Sequence, residues 1–207
     1  MSVSRFERSV FINCPFDSDY APILEALLFC IAASGLEARI ATETLNSGQP
    51  RIQKIVDLIR GSKFAIHDLS RLKAKKKGEL YRMNMPFELG LDIGCRVYGA
   101  APLDSKKCLI LEAQKFHYQA ALSDLSNSVI KVHDNDPLVA VREVALWLGH
   151  EAGIAQQGPA RIWARYLDFN ADYHDRKQAD GYSADDIRAV NIGQFIQEIS
   201  VWLAANP

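Results

Sequence analysis

The segment Asn84-Met-Pro-Phe-Glu88 sets a carboxylate one turn into a helix that Pro86 can open, between apolar neighbours. A carboxylate held against apolar surface near a helix N-terminus can stabilise a developing cation or act as a nucleophile. Desolvation raises the pKa of such a group and the helix dipole lowers it, so its protonation state stays open at this level. The plainer alternative for Glu88 is a dipole partner on a solvated face. Asn84 would stand at the same helix end. Three apolar runs each terminate in polar groups: Asn13, Pro15, Phe16 and Asp17 after the first; Thr42 and Glu43, then Ser47-Gly48-Gln49, after the second; His67, Asp68 and Ser70 after the third. Asp68 closes a buried run, where a carboxylate needs either a ligand or an Asx-type turn to satisfy it. Strand alternation turns His67 to the opposite face from Asp68, as a satisfied sheet histidine. Asp17 or Ser18 can also cap the next helix. Lys73 and the triplet Lys75-Lys76-Lys77 read as a solvated loop, with phosphate attraction as the alternative.

These groups can meet only if the elements bearing them end at one edge. Ser9 to Cys14, Leu36 to Ala41, Lys63 to Leu69, Lys107 to Glu112 and Ser128 to Val132 are short, apolar and rich in β-branched residues, as buried strands are. Helical spacing covers Pro22 to Ser34, with Gly35 placed to end it, then Arg51 to Arg60, Pro86 to about Tyr98, a short stretch near Phe116 to Leu122, and Pro137 to His150. Such alternation predicts an α/β, flavodoxin-like three-layer sandwich over residues 1–150, with a parallel sheet of about five strands. Ligands of such a sheet collect at the carboxyl ends of its strands, where all the groups above are delivered. Gly149 to Gly158 reads as a linker. Residues 151–207 then form a C-terminal helical extension, with patterns over Arg161 to Phe169 and Asp185 to Ala205, which either caps the sheet or makes a homo-oligomer interface.

Several functional classes lose support. The chain has 207 residues and a formal net charge of -1, from 24 basic and 25 acidic residues, so it lacks the positive excess of a nucleic-acid binder. No apolar run approaches the roughly 18–20 residues of a membrane span, and the start, Met1 to Arg8, lacks a signal peptide's apolar segment. Cys14, Cys30, Cys95 and Cys108 sit in apolar stretches without C-x-x-C or metal-ligand spacing. We therefore expect a cytoplasmic protein with no membrane partner and no metal. No Walker A loop, G-x-G-x-x-G or G-x-S-x-G follows any strand, which disfavours triphosphate hydrolysis, dinucleotide redox chemistry and serine hydrolysis.

Three segments in order carry a resemblance: Val10-Phe-Ile-Asn-Cys-Pro-Phe-Asp17, Ile59-Arg-Gly-Ser-Lys-Phe-Ala-Ile-His-Asp-Leu-Ser70 and Asn84-Met-Pro-Phe-Glu-Leu-Gly90. Together they resemble the nucleoside 2-deoxyribosyltransferase-like group and its relatives, the TIR (Toll/interleukin-1 receptor) domains, over roughly residues 9–112. The resemblance implies an N-glycosidase that cleaves the base–ribose bond of NAD or a nucleotide, taken as substrate and not as cofactor. By analogy with the TIR branch it also implies a place in bacterial antiphage defence. It makes Glu88 the catalytic carboxylate, with Asp68 and Asn13 orienting ribose or base and Phe16 stacking on the base. Pro15, Asp17, Ser70 and Asn84 complete the implied substrate site. One departure is the basic stretch between Asp68 and Asn84, where many transferases of the group carry another acid; it leaves base activation without an obvious acid and favours a phosphorylated substrate. A nucleotide-sensing or protein-interaction module without turnover is the alternative.

Overall fold

The computed structural model describes residues 4–43, 48–72, 83–115, 122–123, 129–154 and 157–207. Strands β1 (Ser9–Asn13), β2 (Glu37–Ile40), β3 (Phe64–Asp68), β4 (Lys107–Glu112) and β5 (Ile130–Val132) form one all-parallel sheet in the order β2-β1-β3-β4-β5. This is the flavodoxin-like arrangement, and its strand order reverses between β1 and β3. β1 and β3 are buried along their whole length, because helices cover both faces. Alternation divides their side chains. Val10, Ile12, Phe64, Ile66, Leu109 and Leu111 face α2 (Ala21–Ala33) and α5 (Pro137–Ala152) in the main core. On the other face, Phe11 and Ala65 pack on α3 (Arg51–Arg60), and Ile110 packs with Met85 and Leu89 of α4 (Asn84–Tyr98).

Helix α2 is buried on nearly every side, from Ile23 to Ile31 with Glu25 half-buried, so it needs cover beyond the sheet and α5. Gly35, at φ +75°, ends it as expected: Leu36 N–H reaches back to Ile31 O, and Gly35 N–H to Ala32 O. The outer cover comes from α6 (Pro159–Ala179), α7 (Ala184–Arg188) and α8 (Ile192–Ala205). Phe29 of α2 meets the rings of Tyr166, Phe169 and Trp202 at centroid distances of 5.8, 5.4 and 5.8 Å. The C-terminal residues therefore complete the same core, packing chiefly on α2 and α5.

Element bounds shift in the C-terminal part of the chain. Helix α5 runs to Ala152, shortening the expected linker, and α6 continues ten residues past Phe169. The Asp185 to Ala205 pattern is two helices, because Ser183 closes a capping box with Asp186, and Asn191 starts a new helix by accepting from Gly193 N–H. The helix expected near Phe116 to Leu122 falls, except for Leu122, outside the described residues, as do Ser47 and Lys73 to Lys77. Gly193 seats α8 closely on the segment after β2, where any Cβ would collide with the carbonyl oxygen of Glu43. Among the described residues no helix is long and apolar enough to cross a membrane.

Candidate active site

A cleft of about 460 Å³ opens at the carboxyl end of β1, beside the reversal point of the sheet. Asn13, Pro15, Phe16, Asp17, Asn84 and Glu88 all line it, and so do Arg51, Cys14, Met83 and Met85. Two larger hollows lie elsewhere. One, beside α1 (Arg5–Arg8) and α8, holds an Arg5–Glu37 pair and Arg8, which donates to Gly35 O, and the other is a largely apolar groove between α3 and α4.

Glu88 reaches the cleft because α4 turns Met85, Glu88, Leu89 and Asp92 toward the sheet, at helical spacing. It is only 6% exposed, and among the described residues no donor hydrogen-bonds to its carboxylate. Burial pushes its pKa above the usual glutamate value, while Arg51 and, to the extent that it is protonated, His67 pull it back. Phe16 is half exposed and offers the cleft an aromatic wall. Asp17 is already engaged: it accepts from Tyr20 N–H at 3.1 Å and from Arg71 Nε at 3.4 Å.

Beneath Glu88 lies a buried polar network. Asn13 Nδ2 donates to Met85 O at 2.9 Å and sits 3.0 Å from His67 Nδ1, and His67 Nε2 is 3.2 Å from Asp92 Oδ2. Lys106 Nζ pairs with Asp92 Oδ1 at 3.0 Å and donates to Ile59 O and Ser62 O, tying the end of α3 to α4. Burial is the largest influence on His67 and works against a charge there, while Cys108 and Asp92, where ionised, favour one. The hydrogen bonds oppose that second proton. With Nδ2 anchored on Met85 O, Nδ1 must accept, and a proton there would turn the amide over and set its oxygen against the carbonyl. We therefore assign the neutral Nε2–H form, leaving Asp92 and Lys106 as the compensated pair. Asp92 is held below the ordinary aspartate value, because His67 and Lys106 together outweigh its burial.

Donor atoms of His67, Asp92 and Cys108 lie within 4.8 Å of one another, a grouping that could hold a cation. The Lys106 ammonium already supplies the positive charge at Asp92, so a divalent ion would face it at close range.

Asp68 and Ser70 do not join the cleft. Asp68 points to the α2 and α5 face and is fully buried. Its Oδ2 accepts from Tyr20 OH at 2.7 Å and from His133 Nε2 at 3.0 Å, and its Oδ1 accepts from Ser70 N–H at 2.8 Å, the Asx turn. The joint orientation of a sugar by Asp68 and Asn13 is thus not what the geometry brings together, because the two side chains leave neighbouring strands on opposite faces. Ser70, His133 and Asp68 are adjacent without forming a nucleophilic triad. His133 Nδ1 accepts from Asn135 N–H at 3.1 Å, so the proton is on Nε2, and Ser70 Oγ lies 3.0 Å from that same nitrogen. No free ring nitrogen remains to take the serine proton.

Sequence reading missed Arg51, Asp92, Lys106, Tyr20 and His133. Arg51 was legible as the residue after Pro50 at a helix start on the carboxyl edge, and Asp92 as one turn after Glu88. Nothing local marks His133 or Tyr20 as partners of Asp68, since they come from 65 and 48 residues away. Comparisons of the chain with family models, curated proteins and solved structures find no match in any of the three.

Proposed function

We propose that this cleft binds NAD or a nucleotide and that Glu88 stabilises the cation formed as the base–ribose N-glycosidic bond breaks. The observation that carries this reading is a deeply buried glutamate, without a described hydrogen-bond donor, lining the cleft at the reversal point of the sheet. As the bond between the anomeric carbon and the base nitrogen breaks, its electron pair leaves with the base and positive charge spreads over the sugar ring. A preorganised carboxylate in a dry site favours that charge more than it favours the neutral ground state. Water then adds to the anomeric carbon and releases a proton. Asp17 is committed to Arg71 and Tyr20, so it does not serve as the acid for a departing base. A pyridinium base, which leaves neutral, needs no such acid, and this supports an NAD-type substrate.

Purified protein incubated with NAD, NADP and nucleoside monophosphates, with free base followed by chromatography, tests the proposal. Base release by the wild type that falls about a hundredfold or more in Glu88→Gln is the expected result. Equal rates in the two proteins, or no release from any substrate, overturn it. Ligand-dependent thermal stabilisation without release would assign a sensing module instead.

A further inference from the structure

We propose that Arg51 is a phosphate anchor, so that the cleft selects 5′-phosphorylated nucleosides over free ones; this rests on the glycosidase reading only for the placement of the sugar at Glu88. Arg51 is the first residue of α3, and it is exposed where it lines the cleft. Among the described residues it makes no hydrogen bond or ion pair, whereas Arg71 is spent on Asp17, another residue of the cleft. Two helices of ten and fifteen residues begin at this cleft, α3 after Pro50 and α4 after Met83, and neither has a side-chain cap. Residues of their first turns, Arg51, Asn84 and Met85, line the cleft, so the positive ends of both dipoles lie beside the ligand space together with the guanidinium.

Against this positive character the cleft sets Glu88, which is nine-tenths buried and aimed into the same space without a described donor. The electrostatics thus divide the cleft. A deep anionic point is suited to a sugar that becomes cationic, and a shallow cationic rim is suited to an anion. A free nucleoside leaves the rim unused. A 5′-phosphate, joined to the ribose ring carbon C4′ through C5′ and O5′, is the anionic group of a nucleotide placed to reach the rim while the anomeric carbon faces Glu88. Arginine is suited to that role because its planar fork binds two phosphoryl oxygens at once.

The test is equilibrium binding to the full chain by calorimetry, using each of the four ribonucleosides against its 5′-monophosphate, and ribose against ribose 5-phosphate as a base-free pair. The phosphorylated member should bind at least about tenfold tighter, and Arg51→Gln should abolish that gap while Glu88→Gln leaves it intact. Equal affinity within every pair overturns the anchor, as does a gap that survives Arg51→Gln, or no binding of any phosphorylated member. The two proposals fail separately. Base release at equal rates from nucleosides and monophosphates removes the anchor and keeps the glycosidase, and a binding gap without base release does the reverse.

Discussion

Asn13 Nδ2 lies 3.0 Å from His67 Nδ1, across the register that pairs these two residues on adjacent parallel strands. The same amide nitrogen holds Met85 O in the first turn of α4, so one side chain ties β1, β3 and the helix that carries Glu88. Replacing Asn13 by Ala strips the donor from a buried carbonyl and a buried ring nitrogen, and should cost about 2–4 kcal/mol in urea denaturation. The ring nitrogens of His67, followed by NMR in the wild type at pH 7, should show the neutral Nε2–H pattern. A doubly protonated ring would overturn the tautomer assigned above.

Asp68 should behave as a structural carboxylate. Asp68→Asn, which keeps the shape but turns an NH2 on Tyr20 and His133 or on Ser70 N–H, should lower stability by about 1–3 kcal/mol and leave nucleotide affinity unchanged in the folded fraction. Affinity lost at unchanged stability would return Asp68 to the ligand.

Base release should require the Glu88 carboxylate, whose folded pKa is raised by burial. A raised pKa means that the ionised form is lost earlier as pH falls, so the acid limb of the rate profile should stand above that of an ordinary glutamate. Arg51→Gln removes a charge that pulls this pKa down, and should move the limb to still higher pH. A limb that stays in place in that variant would show that the guanidinium does not act on Glu88.

Glu25 on α2 has its pKa raised by burial to about 6 from an ordinary value of 4.5. The folded state therefore holds its proton more tightly than the unfolded chain, and stability is lost as pH rises between those two values. Glu25→Gln should add about 1–2 kcal/mol at pH 8, with the difference from wild type closing below about pH 4 in denaturation curves. A difference independent of pH would assign the effect to packing.

What the amino-acid order determined alone is the five strands, the helices α2 to α5 between and after them, and the edge at which the strands end. Short apolar runs such as Val10 to Ile12, and apolar positions spaced along Ile52 to Ile59, dictate strand or helix through local backbone period, and Pro15 and Gly35 punctuate the chain. Period two also separates His67 from Asp68, but the parallel register that puts Asn13 with His67 comes from the structure. Only the tertiary structure decided which groups meet. Asp68 is satisfied by Tyr20 and His133, and Glu88 is left facing Arg51 in the cleft, because the partners of a buried charge come from distant segments. The physical reason is that period and punctuation act over a few residues, whereas satisfying a buried polar group is a condition on the whole packed core.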